Sequence, residues 1–114
     1  MSDCLFCGIA AKTVAARLAY EDDELVAFHD IRPQAPVHLV VIPRRHVSRV
    51  SDVTAADATL VGRLIVAANA LARQQSLAES GYRLVINCNA HGGQTVYHLH
   101  LHLLGGRPMR WPPG

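Results

Sequence analysis

The chain lacks the features that mark several broad classes of protein. Its 114 residues contain no internal repeat and no low-complexity tract, so nothing indicates a repeat architecture. No charged start precedes a long apolar region, which predicts no signal peptide, and no apolar stretch approaches the length that a bilayer requires. The net charge of only +2 does not indicate the concentrated basic surface of a nucleic-acid-binding protein. We therefore expect neither a nucleic acid nor a membrane as partner.

Cysteines are few, and carboxylates are absent from the last part of the sequence. The three cysteines, Cys4, Cys7 and Cys88, are odd in number and accompany no secretion signal, so we expect a reduced, cytoplasmic protein. No Asp or Glu follows Glu79, which leaves the remaining segment rich in cations and hydrogen-bond donors. Such a segment suits an anionic ligand.

What the chain does contain predicts one compact domain spanning residues 1–114, since half of its residues are hydrophobic and its length is typical of a domain. Consecutive strands joined by short turns predict an antiparallel α+β sheet with one long helix. The segment "CLFCGIAAKTVAA" is predicted to be a loop that runs into one short helix. The capping box Thr54–Asp57 begins the long helix, which ends near Gln75. The predicted strands are Arg17–Tyr20, Leu25–His29, His38–Pro43, Tyr82–Asn87 and Val96–Leu104.

The long helix has an apolar arc that is wide for an element covering a single sheet face. One stripe is continued by a second set of apolar residues on the neighbouring face. Either an ordinary core helix or a helix at a subunit interface explains this pattern. The stripe consists of Leu60, Leu64, Ala67 and Leu71, and the second set of Val61, Ile65 and Ala68.

Seven histidines in so short a chain are unusual, and three of them, His98, His100 and His102, occupy alternate positions. Side chains alternate faces along a strand, so these three imidazoles are expected to project from the same side of the sheet. A solvated face or a metal site are the simpler explanations, although a catalytic zinc site needs a further ligand and an open position. The preceding loop, Asn87–Thr95, combines adjacent glycines with amide and hydroxyl donors, which favours an oxyanion ligand.

The motif "HLHLHLL", from His98 to Leu104, resembles the histidine triad motif, in which histidines alternate with apolar residues. The segments "FHDIRPQAPVHLVVIP" and "GGQTVYHLHLHLLGG" and the ending "WPPG" are similar to the Hint branch of the histidine triad (HIT) superfamily. The resemblance extends from Cys4 to Gly114. It implies a HIT-like fold with a five-stranded antiparallel sheet. It also implies a homodimer in which the two sheets form one larger sheet and the tail, residues 105–114, reaches the partner.

The resemblance implies hydrolysis of purine nucleoside phosphoramidates, that is, of AMP or GMP joined to an amine. His100 would be the nucleophile that forms a nucleotidyl-histidine intermediate, and a neutral imidazole is available for this near pH 7. His102 would contact the phosphate oxygens, and Thr95, where the family generally has Ser, would assist the departing amine. His38 matches a fourth active-site histidine, although a satisfied strand histidine explains it equally well.

A set of nucleotide contacts is implied as well. Asp30 matches the carboxylate that accepts hydrogen bonds from both ribose hydroxyls, although an Asp after a strand is also a common turn residue. Trp111 would reach the active site of the other subunit. The remaining implied contacts are an apolar base pocket and a loop, although core packing explains the apolar residues as well. The pocket consists of Leu5, Phe6, Ile9, Phe28 and Ile31, bordered by His29. The loop contacts are Asn87, Gly93 and Gln94.

Cys4 and Cys7 have the spacing of metal ligands, but two sulfurs alone do not complete a tetrahedral site. Some members of the superfamily complete it with two histidines, which correspond here to His46 and His98. The resemblance therefore implies a structural Cys₂His₂ zinc site that the chemistry itself does not require. The alternative is a pair of reduced thiols, and Cys88 is expected to be a buried thiol.

Two other functions remain open at this stage. One is another activity of the superfamily, such as hydrolysis of dinucleoside polyphosphates or nucleotidyl transfer. The other is a non-catalytic regulatory dimer that binds a purine nucleotide. The intact His100, the Gln94–Thr95 pair and the "WPPG" ending favour the phosphoramidate hydrolase.

Overall fold

The computed structural model describes residues 4–114, so the first three residues of the predicted domain lie outside the described part. Within residues 4–114, five strands and three α-helices follow one another, with two short 3₁₀ turns, Val50–Asp52 and Ala55–Asp57, ahead of the long helix. Their bounds are α1 Leu5–Ala10, β1 Leu18–Glu21, β2 Leu25–His29, β3 Val37–Pro43, α2 Ala58–Gln74, β4 Tyr82–Val85, α3 Asn89–Gly92 and β5 Leu101–Gly105.

All five strands form one antiparallel sheet in the order β1-β2-β3-β5-β4. The β3–β5 pair is central and places His38 opposite Leu104 and Val40 opposite His102. Strands β1 and β4 are the edges of the sheet. The predicted α+β class, the five antiparallel strands and the long helix are confirmed.

Alternation along the strands divides the core between the two faces of the sheet. Leu39 and Val41 of β3 pack with α2 on one face, together with Leu101 and Leu103 of β5. On the other face, Val40 belongs to a second cluster, which includes residues of α1. This second face also carries the side chains of His38 and His102, because they alternate with the residues that face α2.

Helix α2 begins as its sequence predicts. The backbone N–H of Thr54 donates to the Asp57 carboxylate at 3.0 Å, and the reciprocal bond to the Thr54 side chain completes a capping box ahead of the helix. The buried side of α2 includes Leu64 and Leu71, whereas Val66 is 65% exposed. Part of the wide apolar arc therefore packs on the sheet and part faces outward.

The segment Ala55–Gln74 is long and apolar enough, by length and composition alone, to cross a membrane. The expectation that no stretch approaches this length was therefore wrong. Core helices of globular domains pass the same test, and here Leu64, Ala68 and Leu71 are buried against the sheet. We interpret α2 as the core helix of a compact domain.

The predicted strand Val96–Leu104 was wrong in extent, because pairing begins only at Leu101. Pairing between β3 and β5 ends at Val41 opposite Leu101, although β3 itself continues to Pro43 beside β2. The chain before Leu101 is held by other bonds, including one from the Leu99 N–H to the Val47 carbonyl. The predicted strand Tyr82–Asn87 also ends early, at Val85, because the helical turn α3 follows within a few residues.

Candidate active site

Four histidine rings lie in a row on the sheet face that also carries α1. His102 lies in β5, His38 in the adjacent strand β3, and His100 just before β5. The ring centroids of His38 and His102 are 5.1 Å apart, and those of His100 and His102 are 4.9 Å apart. His98 continues the row and is fully buried. The row is therefore a packed array of imidazoles that spans two strands.

The tautomer of His100 follows from a single contact. Its Nδ1 lies 2.7 Å from the backbone carbonyl oxygen of His98, and a carbonyl oxygen can only accept. Nδ1 therefore carries the proton, and the neutral ring has its lone pair at Nε2. The ring is only 6% exposed and packs edge-on against Phe6, with centroids 5.1 Å apart. The geometry therefore gives a neutral imidazole whose Nε2 lone pair has a defined orientation.

The tautomers of His38 and His102 follow in the same way. The backbone N–H of Gln34 donates to His38 Nδ1 at 3.0 Å, so the proton of His38 must be on Nε2. His38 Nε2 then donates to His102 Nδ1 at 2.9 Å. The remaining proton of His102 is on Nε2. His102 is therefore a hydrogen-bond donor at the nitrogen where His100 has a lone pair.

Burial keeps these rings neutral near pH 7. It lowers the pKa of His100 and that of His38, opposed in each case by weaker effects, among them the Asp30 charge. Burial, assisted by the neighbouring His100 and His38, lowers the pKa of His102 to about 4. Neutral rings have defined tautomers, so the hydrogen bonds described above determine which nitrogen donates and which accepts.

Asp30 follows β2 and lies beside the histidine row. Its Oδ2 is 3.4 Å from His38 Nε2, and its Oδ1 accepts a hydrogen bond from the backbone N–H of Arg32 at 2.8 Å. Asp30 therefore also forms the turn that its sequence position suggests as an alternative to ribose binding. The half-buried carboxylate still has acceptor capacity, so the turn does not exclude a ligand.

The apolar residues expected to form a base pocket divide into two groups. Phe6, Ile9 and Phe28 are buried together in the cluster under α1, and the rings of Phe6 and Phe28 meet edge-on with centroids 5.2 Å apart. Leu5 is 48% exposed and Ile31 is 91% exposed. His29, at the end of β2, is half-buried, and burial lowers its pKa.

The loop that leads to the histidine row is fixed by Gln94. Its buried side chain accepts from the Asn89 N–H and donates to the carbonyls of Ser48 and Val96. The side chain thus holds the loop together, and a nucleotide contact for Gln94 stays a prediction. Gly93 has φ +85°, which favours glycine. Asn87 is half-buried and Thr95 is exposed.

Cys4, Cys7, His46 and His98 converge on one point at the other end of the row. Distances from sulfur to nitrogen are 3.3 to 3.5 Å, and the Nδ1 atoms of His46 and His98 are 3.2 Å apart. The edges of a tetrahedral zinc site are about 3.6 Å from sulfur to nitrogen and about 3.3 Å between nitrogens. The donor set therefore fits a tetrahedral metal ion.

The outer hydrogen bonds of these histidines are those of metal ligands. His98 Nε2 donates to the Pro43 carbonyl at 2.7 Å, which leaves its Nδ1 lone pair facing the sulfurs. His46 Nε2 lies 3.1 Å from Ser48 Oγ. The cluster also joins three parts of the chain, since Cys7 belongs to α1 while His46 follows β3 and His98 precedes β5.

Asp30, His38 and His102 form a second group with convergent donor atoms. This group does not suit a metal, because the Gln34 N–H occupies His38 Nδ1 and so keeps the proton on His38 Nε2. A protonated nitrogen has no lone pair to offer. Within residues 4–114, only the cysteine-containing cluster has both the spacing and the correct tautomers.

Trp111 is 82% exposed, as its position in an extended tail suggests. The tail runs beside the edge strand β4, because Arg83 Nη2 donates to the carbonyl of Arg110 at 2.8 Å. The residues that sequence reasoning missed are Gln34, Pro43 and Arg107. They act through backbone groups or through tail contacts, and such contacts leave no residue pattern in the sequence.

Comparison with known proteins agrees with this geometry. The HIT domain family model matches residues 11–109. A purine nucleoside phosphoramidase of Escherichia coli K12 is 46% identical over 107 residues, which cover 94% of this chain and 90% of that protein. A HIT-like protein of Synechococcus elongatus is 49% identical over 112 residues, covering 98% of this chain and 97% of that protein. The crystal structure of a HIT family hydrolase from Legionella pneumophila Philadelphia 1 matches with a TM-score of 0.97 and 52% identity, covering 98% of this chain and 100% of that one.

The chain therefore belongs to the HIT domain family. Within that family, its similarity to a HIT family hydrolase and to a phosphoramidase supports a hydrolase. The resemblance drawn from the histidine motif and its flanking segments is confirmed at the level of the family and of the fold.

Proposed function

We propose that this protein hydrolyses the P–N bond of purine nucleoside phosphoramidates through a nucleotidyl intermediate on His100. Nε2 of His100 attacks the α-phosphorus, the P–N bond breaks, and the amine takes up a proton from solvent as it leaves. Water then cleaves the N–P bond of the intermediate, which gives the nucleoside monophosphate, restores the imidazole and returns the proton to solvent. Splitting the displacement in this way replaces one difficult step by two easier ones.

The observation that carries the proposal is the hydrogen bond from His100 Nδ1 to the His98 carbonyl, at 2.7 Å. It fixes the lone pair on the opposite nitrogen, and burial lowers the pKa so that this lone pair is available near pH 7. The similarity to the purine nucleoside phosphoramidase of Escherichia coli favours this reaction over other displacements at phosphorus.

His102 and His38 act together on the phosphate. The Nε2–H of His102 is a donor suited to the phosphate oxygens, where negative charge develops in the transition state. His38 supports it through the 2.9 Å bond between the two rings. Thr95 contributes the hydroxyl that assists the departing amine, and its exposed position allows it to contact the leaving group.

The nucleoside occupies the face that carries α1 and the end of β2. Asp30 accepts the ribose hydroxyls, and His29 and Ile31 border the base. Phe6, Ile9 and Phe28 form the apolar floor, supported by their common cluster. Asn87, Gly93 and Gln94 contribute the loop contacts, Leu5 the exposed rim, and Trp111 the contact from the partner subunit.

The test compares wild type, His100→Ala and Arg63→Ala on adenosine and guanosine 5′-phosphoramidates and on a diadenosine polyphosphate. We expect release of amine by wild type and by Arg63→Ala, because Arg63 is exposed on α2 and pairs with Glu24 in the β1–β2 turn. We expect the loss of at least about 10³-fold in kcat for His100→Ala, with AMP binding by calorimetry largely retained.

Retained turnover in His100→Ala would assign the nucleophile elsewhere. Faster cleavage of the polyphosphate than of the phosphoramidates by wild type would favour the dinucleoside polyphosphate hydrolase. Tight binding of AMP without turnover of either substrate class would favour a regulatory nucleotide-binding protein.

A zinc ion held by Cys4, Cys7, His46 and His98 completes the proposal. When bound, it supplies a structural cross-link among α1, the segment after β3 and the segment before β5. The spacing of the donors and the outer hydrogen bond of His98 to Pro43 support this assignment. The nucleophile and the phosphate-binding ring are outside the donor set.

The functional unit that we propose is a homodimer of one domain per chain, residues 1–114, in which the edge strands β4 join the two sheets. An unpaired edge strand favours pairing with a second chain, and the outward-facing Ile65 and Val66 of α2 leave apolar surface for a partner. The bond between Arg83 and the Arg110 carbonyl directs the tail, residues 105–114, along that edge.

We place the protein in the cytoplasm, with a purine nucleotide as its small-molecule partner and neither nucleic acid nor membrane. The three cysteines are free thiols, and the metal cluster needs reduced sulfur, which suits a reducing compartment. The mild net charge of +2 gives little attraction to a polyanion.

A further inference from the structure

We propose that Arg107 is a positioning residue for the phosphate-binding histidines, acting through the peptide N–H of Gln34. The inference deepens the proposed function and depends on it. It assigns a role to two residues outside the histidine motif, one in the loop after β2 and the other at the start of the tail.

Three hydrogen bonds run in series from the surface to the site. Arg107 Nη2 donates to the Gln34 carbonyl at 2.9 Å, and the Gln34 N–H donates to His38 Nδ1 at 3.0 Å. His38 Nε2 then donates to His102 Nδ1 at 2.9 Å. The exposed guanidinium of Arg107 thus binds the carbonyl of Gln34, and the backbone N–H of Gln34 fixes the tautomers of His38 and His102.

The loop that carries Gln34 needs such a hold. It contains Pro33 and Pro36, which have no N–H, and the residues from Ile31 to Gln34 are exposed. A side-chain bond from Gln34 to the Arg32 carbonyl closes the loop on itself without joining it to the sheet. The Gln34 N–H bond to His38 joins the loop to β3, and Arg107, just after β5, holds the same peptide at its carbonyl.

The base of the tail reinforces the contact. Gly106 has φ +94°, and a Cβ built there would lie 2.8 Å from the Pro36 ring. The tail therefore passes directly against the loop, and only glycine fits at this point. Arg107 follows immediately, so its guanidinium lies beside the Gln34 peptide as a result of backbone packing.

Loss of the bond between Arg107 and the Gln34 carbonyl changes which ring nitrogen of His38 carries a proton. Without the Gln34 N–H, His38 can place its proton on Nδ1, and its Nε2 then no longer donates to His102. His102 is then free to place its own proton on Nδ1, which turns a lone pair toward the phosphate oxygens. Binding of the nucleoside is unaffected, whereas stabilisation of transition-state charge is lost.

The test measures steady-state kinetics with an adenosine phosphoramidate for wild type, Arg107→Ala, Arg107→Lys and the control Arg63→Ala. Arg63 is exposed in α2 and pairs with Glu24 in the β1–β2 turn, at the other end of β2 from the loop, so its variant removes the same charge away from Gln34. We expect kcat to fall about 10-fold in Arg107→Ala with KM within about twofold, partial rescue by Lys, and no change in the control.

A second pair of variants isolates the amide. Gln34→Ala keeps the backbone N–H and Gln34→Pro removes it, so we expect kcat to fall about 10-fold or more only in the proline variant. Nitrogen-15 NMR of the histidine rings provides a readout independent of turnover. Wild type should show an unprotonated Nδ1 in His38 and His102, and Arg107→Ala and Gln34→Pro should show mixed tautomers.

Wild-type kcat and unchanged ring tautomers in Arg107→Ala would overturn the inference, as would equal effects of the two Gln34 variants. Failure of the proposed function is distinguishable, since wild type would then release no amine while the NMR comparison would still report the tautomers. Circular dichroism of each variant tests whether a loss of kcat arises from unfolding.

Discussion

At the residue scale, the chemistry of the histidines is set by backbone groups that touch them. The carbonyls of Pro43 and His98 and the amide of Gln34 each contact one ring nitrogen, and each contact forces a tautomer. In the proposed function, identical imidazoles therefore serve as a metal ligand, a nucleophile and a donor. The side chain supplies the functional group, and the fold decides which of its two nitrogens is available.

Burial of the histidines makes the stability of the protein depend on pH. The pKa of His102 is about 4 in the folded chain, against about 6.5 for an unperturbed imidazole. Between these values the unfolded chain binds more protons, so the free energy of unfolding rises with pH and is lost as the pH falls. From about pH 7.5 to about pH 5, we expect His102 alone to account for a loss of ~2 kcal/mol.

Urea denaturation at the two pH values measures this loss. The variant His102→Asn should show a smaller pH dependence, whereas His91→Asn, which changes an exposed ring, should match wild type. An unchanged pH dependence in His102→Asn would show that this ring titrates normally.

At the element scale, the metal cluster explains how a six-residue helix is held in place. Helix α1 is too short to be stable alone, and its Cys7 and Phe6 contact the histidine row at His98 and His100. Phe6 packs against the ring of His100 while Cys7 joins the donor set. A metal ion at this point would therefore stabilise both α1 and the wall of the site.

We expect purified protein to contain about one zinc per chain and Cys4→Ser to lose it. The melting temperature of Cys4→Ser should fall with it, because α1 loses its cross-link. The matched control is Cys88→Ser, which changes a half-buried thiol outside the cluster. Elemental analysis and a thermal melt provide both readouts, and the absence of metal in protein prepared under reducing, chelator-free conditions would exclude the site.

Two glycines in different elements should respond oppositely to alanine. A Cβ on Gly105, at the end of β5, would lie 2.5 Å from Leu77 Cδ1, so overpacking should cost about 1–3 kcal/mol. A Cβ on Gly62, inside α2, meets no atom within 4 Å, so Gly62→Ala should gain about 0.5–1 kcal/mol. Chemical denaturation of both variants measures the difference, and a stable Gly105→Ala variant would show that Leu77 moves aside.

At the scale of the whole molecule, the sheet has a protected centre and an open edge. Strand β5 lies between β3 and β4, whereas β4 has a neighbour on one side only. All four residues of β4 are half-buried within a single chain. This edge, with the tail beside it, is the surface that the proposed dimer uses.

Light scattering should therefore give twice the 12.4 kDa mass of one chain. In Trp111→Ala the dimer should persist, because the indole is 82% exposed in one chain and lies outside the sheet. Its kcat/KM should fall by about 10-fold as the partner's site loses an aromatic contact. A monomeric wild type, or a Trp111 variant with unchanged kinetics, would contradict the assignment of the tail.

Much of this molecule could be predicted from sequence, because local patterns carried the information. Strand Leu25–His29 was predicted with its observed bounds, and the Thr54–Asp57 capping box formed as expected. Strand Val96–Leu104 was too long, since the alternation of apolar residues already includes the buried Leu99, before hydrogen-bonded pairing begins at Leu101. Periodicity indicates which face a residue occupies, but it does not show where pairing with the neighbouring strand begins.

The sequence by itself determined the antiparallel sheet, the long helix and the family, because these depend on the order and spacing of residue types. Only the tertiary structure decided the tautomer of each ring and the convergence of α1 with the metal cluster. Contacts such as the Arg107 side chain with the Gln34 carbonyl join residues 73 positions apart. They depend on backbone atoms, which are the same in every residue, and so they become visible only when the chain has folded.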